Sequence, residues 1–88
     1  MNVKYSKGFL KQLAKIPSET RIKIEKFAFE ELPNSTSLAD TGKIEKMQGY
    51  KGYYKARFGA YRVGIKMENE IMILQAVMNR KEIYKFFP

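Results

Sequence analysis

The chain has 88 residues and a net charge of +8, from 17 Lys or Arg against 9 Asp or Glu, which reads as one strongly basic domain over residues 1–88. It contains no Cys and no His, so disulfides and thiolate metal sites are excluded, and the commonest metal ligand and general base are missing. No apolar run reaches the roughly 18 residues of a membrane span, and Met1-Asn2-Val3-Lys4-Tyr5 lacks a signal peptide's apolar block, so the expected location is cytoplasmic.

Residues 2–5 read as a short strand. Ser6 is placed to cap a helix over residues 7–16, where Phe9, Leu10, Leu13 and Ile16 recur at helical spacing. Pro17 stops that helix. A second opens at Pro17 or Ser18, with Ile22, Ile24, Phe27, Ala28 and Leu32 as its apolar positions, and Pro33 is expected to end it. The polar stretch from Asn34 to Lys43 reads as a crossover loop. Beyond Ile44-Glu45-Lys46-Met47-Gln48-Gly49 come three strand candidates, Tyr53–Phe58, Tyr61–Met67 and Ile71–Val77. They are joined at hairpin length by Gly59-Ala60 and Glu68-Asn69-Glu70. The continuous apolar run Ile71-Met72-Ile73-Leu74 points to a central strand buried on both faces. Asn79 to Pro88 reads as a short helical or irregular tail. This order predicts an α+β layer: an N-terminal strand and helical hairpin packed on one face of a small, mainly antiparallel sheet, with the other face open.

The positive charge is uneven. Residues 1–42 carry 7 basic and 5 acidic side chains, a net of +2, whereas residues 43–88 carry 10 and 4, a net of +6. Such an excess attracts phosphate backbones or an acidic partner, although it also serves plain solubility. Strand alternation puts Tyr53, Lys55 and Arg57 on one face and Tyr54, Ala56 and Phe58 on the other. Arg62, Gly64 and Lys66 likewise face away from Val63, Ile65 and Met67. If Gly59-Ala60 is a two-residue turn, Arg57 stands across from Arg62, and Lys55 across from Gly64. Like charges facing each other on a sheet cost up to ~1 kcal/mol. The arrangement is explained if an anion sits among Lys55, Arg57 and Arg62, with Gly64 leaving room for it. The alternative is a solvated basic face whose long side chains splay apart, and the argument depends on the register. Arg80 and Tyr84 lie four residues apart, on one side of a helical turn, and could close the rim of this surface. Lys66, Lys81 and Lys85 extend the positive surface, and Tyr53 could stack on a splayed base or be a half-packed sheet aromatic.

Several segments together resemble the RelE/ParE superfamily of bacterial type II toxins. They are the Lys-rich helical hairpin, Ile44-Glu45-Lys46-Met47-Gln48-Gly49 at the family's turn into the sheet, Tyr54-Lys55-Ala56-Arg57, Tyr61-Arg62-Val63, and Asn79-Arg80-Lys81-Glu82-Ile83-Tyr84-Lys85 at the end. The resemblance covers nearly the whole chain. It implies a RelE-like fold of the microbial-ribonuclease type and, in the RelE branch, ribosome-dependent cleavage of mRNA. Lys55, Arg57, Arg62, Arg80 and Tyr84 match the family's catalytic positions, while Tyr53, Lys66, Lys81 and Lys85 would contact RNA. Asn79 stands where many relatives carry His, which removes a His-based mechanism. Lys55 is then the candidate base with Tyr84 as its rival, Arg62 and Arg80 would hold the phosphate, and Arg57 would assist or act as acid. The resemblance also implies an acidic cognate antitoxin in a hetero-oligomeric complex, with ribosome and mRNA as further partners and no cofactor or metal. A ParE-like inhibitor of DNA gyrase, or an inactive nucleic-acid-binding relative, are the other readings.

Overall fold

In the computed structural model, which describes residues 1–88 except the side chains of Leu38 and Ala39, β1 (Asn2–Tyr5) leads directly into α1 (Lys7–Leu13). Ser6 joins the two. Its hydroxyl accepts from the Phe9 N–H at 3.0 Å and donates to the Gln75 carbonyl at 3.1 Å, so one side chain caps the helix and ties it to the sheet. α1 is shorter than its apolar spacing implies. Residues 14–16 tighten into turns, closed by bonds from Lys15 N–H to the Gln12 carbonyl and from Ile16 N–H to the Leu13 carbonyl.

The second helix does not end before Pro33. α2 (Ser18–Lys26) widens into a π-helical turn over Phe27–Glu31, then closes with a single turn, α3 (Leu32–Asn34). Leu32 N–H bonds to the Phe27 carbonyl, five residues back. The next bond in that series would need an N–H on Pro33, which proline lacks, so the Ala28 carbonyl is left without a helical partner. The Tyr5 hydroxyl donates to it instead. Burial raises the Tyr5 phenol pKa, which keeps that donor protonated.

After the crossover segment, where Asp40 accepts from Thr36 and Ser37 and is held at a pKa of about 2 by those bonds, the sheet begins. Its strands are β2 (Ile44–Lys46), β3 (Tyr53–Phe58), β4 (Tyr61–Glu68) and β5 (Ile71–Asn79). The order is β1-β5-β4-β3-β2, with β1 parallel to β5 and the other pairs antiparallel. Two features differ from the sequence reading. β2 is a fifth strand, too short to display an alternation, and the middle strand is β4 rather than β5. The β4–β5 turn is also tighter than expected, using only Asn69 and Glu70, both at positive φ (50° and 65°) as a two-residue hairpin turn requires.

One face of the sheet carries the main core. Phe9, Leu13, Ile24, Phe27 and Leu32 from the helices pack on Ala56, Phe58, Val63, Ile65, Met72, Leu74 and Val77. The apolar run in β5 is therefore not buried on both faces: Met72 and Leu74 are fully covered, while Ile71 and Ile73 are half-exposed on the other side. A register shift between Gly64 and Ile65 then re-aims the strand, so that Val77 joins the main core and Ala76 faces away from it.

That second face is not left open either. Met47, Ala76, Ile83 and Phe87 form a separate small cluster, in which α4 (Arg80–Phe86) lies against the sheet. The tail is thus an ordered element, and it reaches the face where the basic residues stand.

Tyr5→Phe keeps the ring but removes the donor from the Ala28 carbonyl. A loss of about 1 kcal/mol is expected, read as a lower midpoint in urea denaturation. An unchanged midpoint would show that another group satisfies that carbonyl.

Candidate functional site

The register of β3 on β4 decides which side chains meet. Phe58 pairs with Tyr61, Arg57 with Arg62, Lys55 with Gly64 and Tyr53 with Lys66, so the cations share the face that α4 approaches. The two facing guanidiniums are held by separate partners. Arg57 reaches across to Glu45 on β2 at 3.1 Å. Arg62 curls onto its own turn, donating to the Gly59 and Tyr61 carbonyls at 2.7 and 2.9 Å. Both arrangements are solvent-accessible, so each is worth little and is readily exchanged for an anion.

Gly64 does not hold open space for a ligand. The Phe87 ring lies on it: a Cβ at residue 64 would sit 2.6 Å from Phe87 Cδ2. The glycine is there to admit the tail. Phe87 also meets Tyr53 edge-on, with ring centroids 5.4 Å apart at 70°. Tyr53 has Lys66 Nζ 5.5 Å from its centroid as well, and Lys66 pairs with Glu68 at 3.4 Å. Tyr53 is accordingly half-buried among neighbours and is not a bare platform.

Asn79 starts α4 by accepting from the Lys81 N–H at 2.9 Å, while the Arg80 N–H binds the Ala60 carbonyl at 2.7 Å. Asn79 is thus a helix cap. Ile83 and Phe87 are the buried anchors of this seven-residue helix. One turn beyond Arg80, the helix presents Tyr84 to Lys55, whose Nζ donates to the phenol oxygen at 2.9 Å. That bond is the main cause of a lowered Tyr84 pKa. Partial burial opposes the shift, and the charges of Lys55, Arg62 and Arg57 reinforce it. Lys55, Arg57, Arg62 and Tyr84 are thus gathered into one electrostatic unit. Arg80 is not among the charges that reach Tyr84: it is exposed at the start of α4, with its N–H on the β3–β4 turn. Lys81 and Lys85 are exposed on the same helix, and Lys85 pairs loosely with Glu82 at 3.9 Å.

A cleft of about 330 Å³ opens beside this unit, lined by Glu45, Lys46, Met47, Gln48, Tyr50, Lys55 and Tyr84. Three of the residues that shape the site escaped the sequence reading: Glu45, Tyr50 and Phe87. β2 carries no strand-length pattern, Tyr50 is in a loop, and a terminal Phe gives no sign of folding back. Among the described residues no group of three or more His, Cys, Asp or Glu is placed to hold a metal ion, and no helix is long and apolar enough to cross a membrane.

The model for the family "ParE toxin of type II toxin-antitoxin system" matches residues 3–84. Toxin RelE3 of Methanocaldococcus jannaschii is 42% identical over 89 residues, covering 100% of both chains. The chain belongs to the RelE/ParE family of type II toxins. Its fold overlays the RelB-RelE antitoxin-toxin complex from Methanococcus jannaschii with a TM-score of 0.79 and 40% identity, covering 97% of this chain and 99% of that one. The isolated Escherichia coli RelE toxin gives a TM-score of 0.67 at 22% identity over 96% of this chain and 90% of that chain, which shows a shared fold. The toxin is thus one half of a toxin–antitoxin system.

If Phe87 on Gly64 is what holds Tyr84 against Lys55, Gly64→Ala should expel the ring and let the phenol titrate closer to the ordinary 10.0. Labelled-tyrosine NMR reads this directly, with circular dichroism to confirm the fold. A Tyr84 titration identical to wild type would show that Ile83 suffices to seat the helix.

Proposed function

We propose that the toxin cleaves mRNA on the ribosome by internal attack of a ribose 2′-OH. The observation that carries this reading is the Lys55–Tyr84 hydrogen bond set beside Arg62 and Arg57. A lysine donating to a phenol, among further cations, lowers the Tyr84 pKa and so favours its phenolate form. The assignment of base therefore moves from Lys55 to Tyr84. In this scheme the phenolate takes the 2′-OH proton and the 2′-oxygen attacks phosphorus. The bond to the 5′-oxygen then breaks as Lys55 protonates the leaving group. The products are a 2′,3′-cyclic phosphate and a 5′-OH. Tyr84, now a phenol, returns its proton to the neutral Lys55 along their hydrogen bond, which restores the starting pair.

Arg62 and Arg80 hold the scissile phosphate and stabilise the charge that develops on it. Arg62 gives up its two carbonyl contacts to do so. Arg57, tied to Glu45, adds positive potential. Tyr53, Lys66, Lys81 and Lys85 lie around the same face and contact the RNA on either side. A site without His relies on the ribosome to hold its substrate in attack geometry, since orientation alone contributes several kcal/mol, up to about 7–11 kcal/mol. The relative named Toxin RelE3 and the complex described as RelB-RelE antitoxin-toxin support a cognate antitoxin as partner, and the net charge of +8 favours an acidic one. A cytoplasmic location follows from such partners.

The family model's ParE description favours a second reading, in which the same fold binds DNA gyrase. A pure binder has no need of a lysine–tyrosine proton pair.

Added to a translating extract, the toxin should produce new mRNA ends at ribosome-occupied codons, mapped by primer extension. Arg62→Ala should cut on the order of 10²–10³ more slowly, the cost of losing one charge-stabilising donor, and Arg80→Ala should be similarly impaired. Intact mRNA with wild-type toxin would end the nuclease reading, and loss of gyrase supercoiling would install the second. The cutting rate should rise with pH and level off below the range of an ordinary tyrosine. Lys55→Ala removes the bond that lowers the Tyr84 pKa, so that rise should move to higher pH. A profile that Lys55→Ala leaves in place would contradict Tyr84 as base.

A further inference from the structure

We infer that Tyr50 is the base platform of this site: one RNA base next to the scissile phosphate stacks on its ring. Lys46 and Lys51 meet the neighbouring phosphates and Gln48 meets the base edge. The inference rests on the nuclease reading and adds a substrate contact to it.

The β2–β3 loop is built to hold this ring out. Met47, at the start of the loop, is buried in the second cluster against Ala76, Ile83 and Phe87, which ties the loop to the sheet and α4. The Tyr50 N–H bonds to the Met47 carbonyl, and the Tyr53 N–H bonds to the Tyr50 carbonyl, each at 3.3 Å. Gly49 and Gly52 flank the tip at φ of 80° and 81°, a region that other residues enter only with strain, so the chain can double back twice within four residues. The loop is thereby fixed at both ends while Tyr50 stays 52% exposed. Tyr53 braces it, with ring centroids 6.5 Å apart at 80°.

The surroundings are those of an RNA groove. A cleft of about 540 Å³ is lined by the six residues Lys46 to Lys51, two of them lysines and none acidic. It shares Lys46, Met47, Gln48 and Tyr50 with the smaller cleft that holds Lys55 and Tyr84. Tyr50 therefore borders both, between the proton-transferring pair and a second space of nucleotide size. Among the other large exposed apolar side chains of the described residues, Tyr84 lines the smaller cleft alone, and Leu10, Ile22, Phe29 and Phe86 line neither. Stacking on tyrosine tolerates any base, and the lysines supply the backbone attraction, which together suit single-stranded RNA.

The test uses the intact toxin on ribosomes carrying mRNA. Tyr50→Ala should lower kcat/KM for cutting by roughly 5- to 150-fold, the range for losing one base–aromatic stack, and Tyr50→Phe should restore most of that loss. No cutting by wild-type toxin would overturn the nuclease reading and this inference with it. Cutting by wild type that Tyr50→Ala leaves unchanged would overturn this inference alone. A second arm needs no cleavage. Binding of the toxin to ribosomes programmed with an mRNA bearing a 2′-deoxy nucleotide at the cut position, measured by co-sedimentation, should weaken with Tyr50→Ala, and binding to ribosomes lacking mRNA should not. Equal weakening on both would assign Tyr50 to the ribosome surface and refute the base contact.

Discussion

A two-residue turn at Gly59-Ala60 sets β4 against β3 so that Lys55 faces Gly64 and Arg57 faces Arg62. Shifting that register by one residue would turn every side chain of β3 to the opposite face, sending the cations into the core and Ala56 and Phe58 into water. The core therefore locks the register, and the register locks the site. Because residue 64 has no side chain, the space above it admits the Phe87 ring, which brings α4 down onto the sheet. Tyr84 meets Lys55 at the end of that sequence of consequences, 29 residues away along the chain.

The electrostatic design follows from the same placement. Lys55, Arg57 and Arg62 stand on adjacent strands with Glu45 as the one carboxylate reaching into them, and it is committed to Arg57. The Lys55 hydrogen bond lowers the Tyr84 phenol pKa, partial burial opposes the shift, and the charges of Lys55, Arg62 and Arg57 add to it. A side chain that ordinarily holds its proton far above neutrality is thereby shifted toward its deprotonated form, which is what the proposed role as base requires. Asn79 contributes by capping the helix that carries Tyr84.

Much of this was legible in the residues, and the reason is local periodicity. The alternation in Tyr53–Phe58 and Tyr61–Glu68, together with a turn of defined length, is enough to place Arg57 across from Arg62. Ser6 as a cap, and α1 and α2 as a helical hairpin, are likewise short-range signals. What stayed hidden depends on contacts distant in sequence. Where the helix runs through Pro33, Tyr5 takes over the Ala28 carbonyl, a bond spanning 23 residues. Gly64 looked like room for a ligand because nothing near it announces Phe87. Tyr53 looked like the stacking residue because strand parity put it on the right face, while packing against Phe87 leaves Tyr50 as the more exposed ring. β5 read as doubly buried because Ile71 and Ile73 are apolar, yet α4 does not cover them.

The family contains toxins described as RelE and as ParE, and this chain matches both descriptions over nearly its whole length. The proton transfer proposed for Lys55 and Tyr84, which share a hydrogen bond, is what would separate chemistry from simple binding. The chemical nature of the cut ends tests that claim most directly. Internal attack leaves a 2′,3′-cyclic phosphate on the upstream fragment and a free 5′-OH on the downstream one, and both should be recovered from mRNA cut by the toxin on ribosomes. A 5′-phosphate on the downstream fragment would contradict the account, because it requires attack by a nucleophile other than the neighbouring 2′-oxygen.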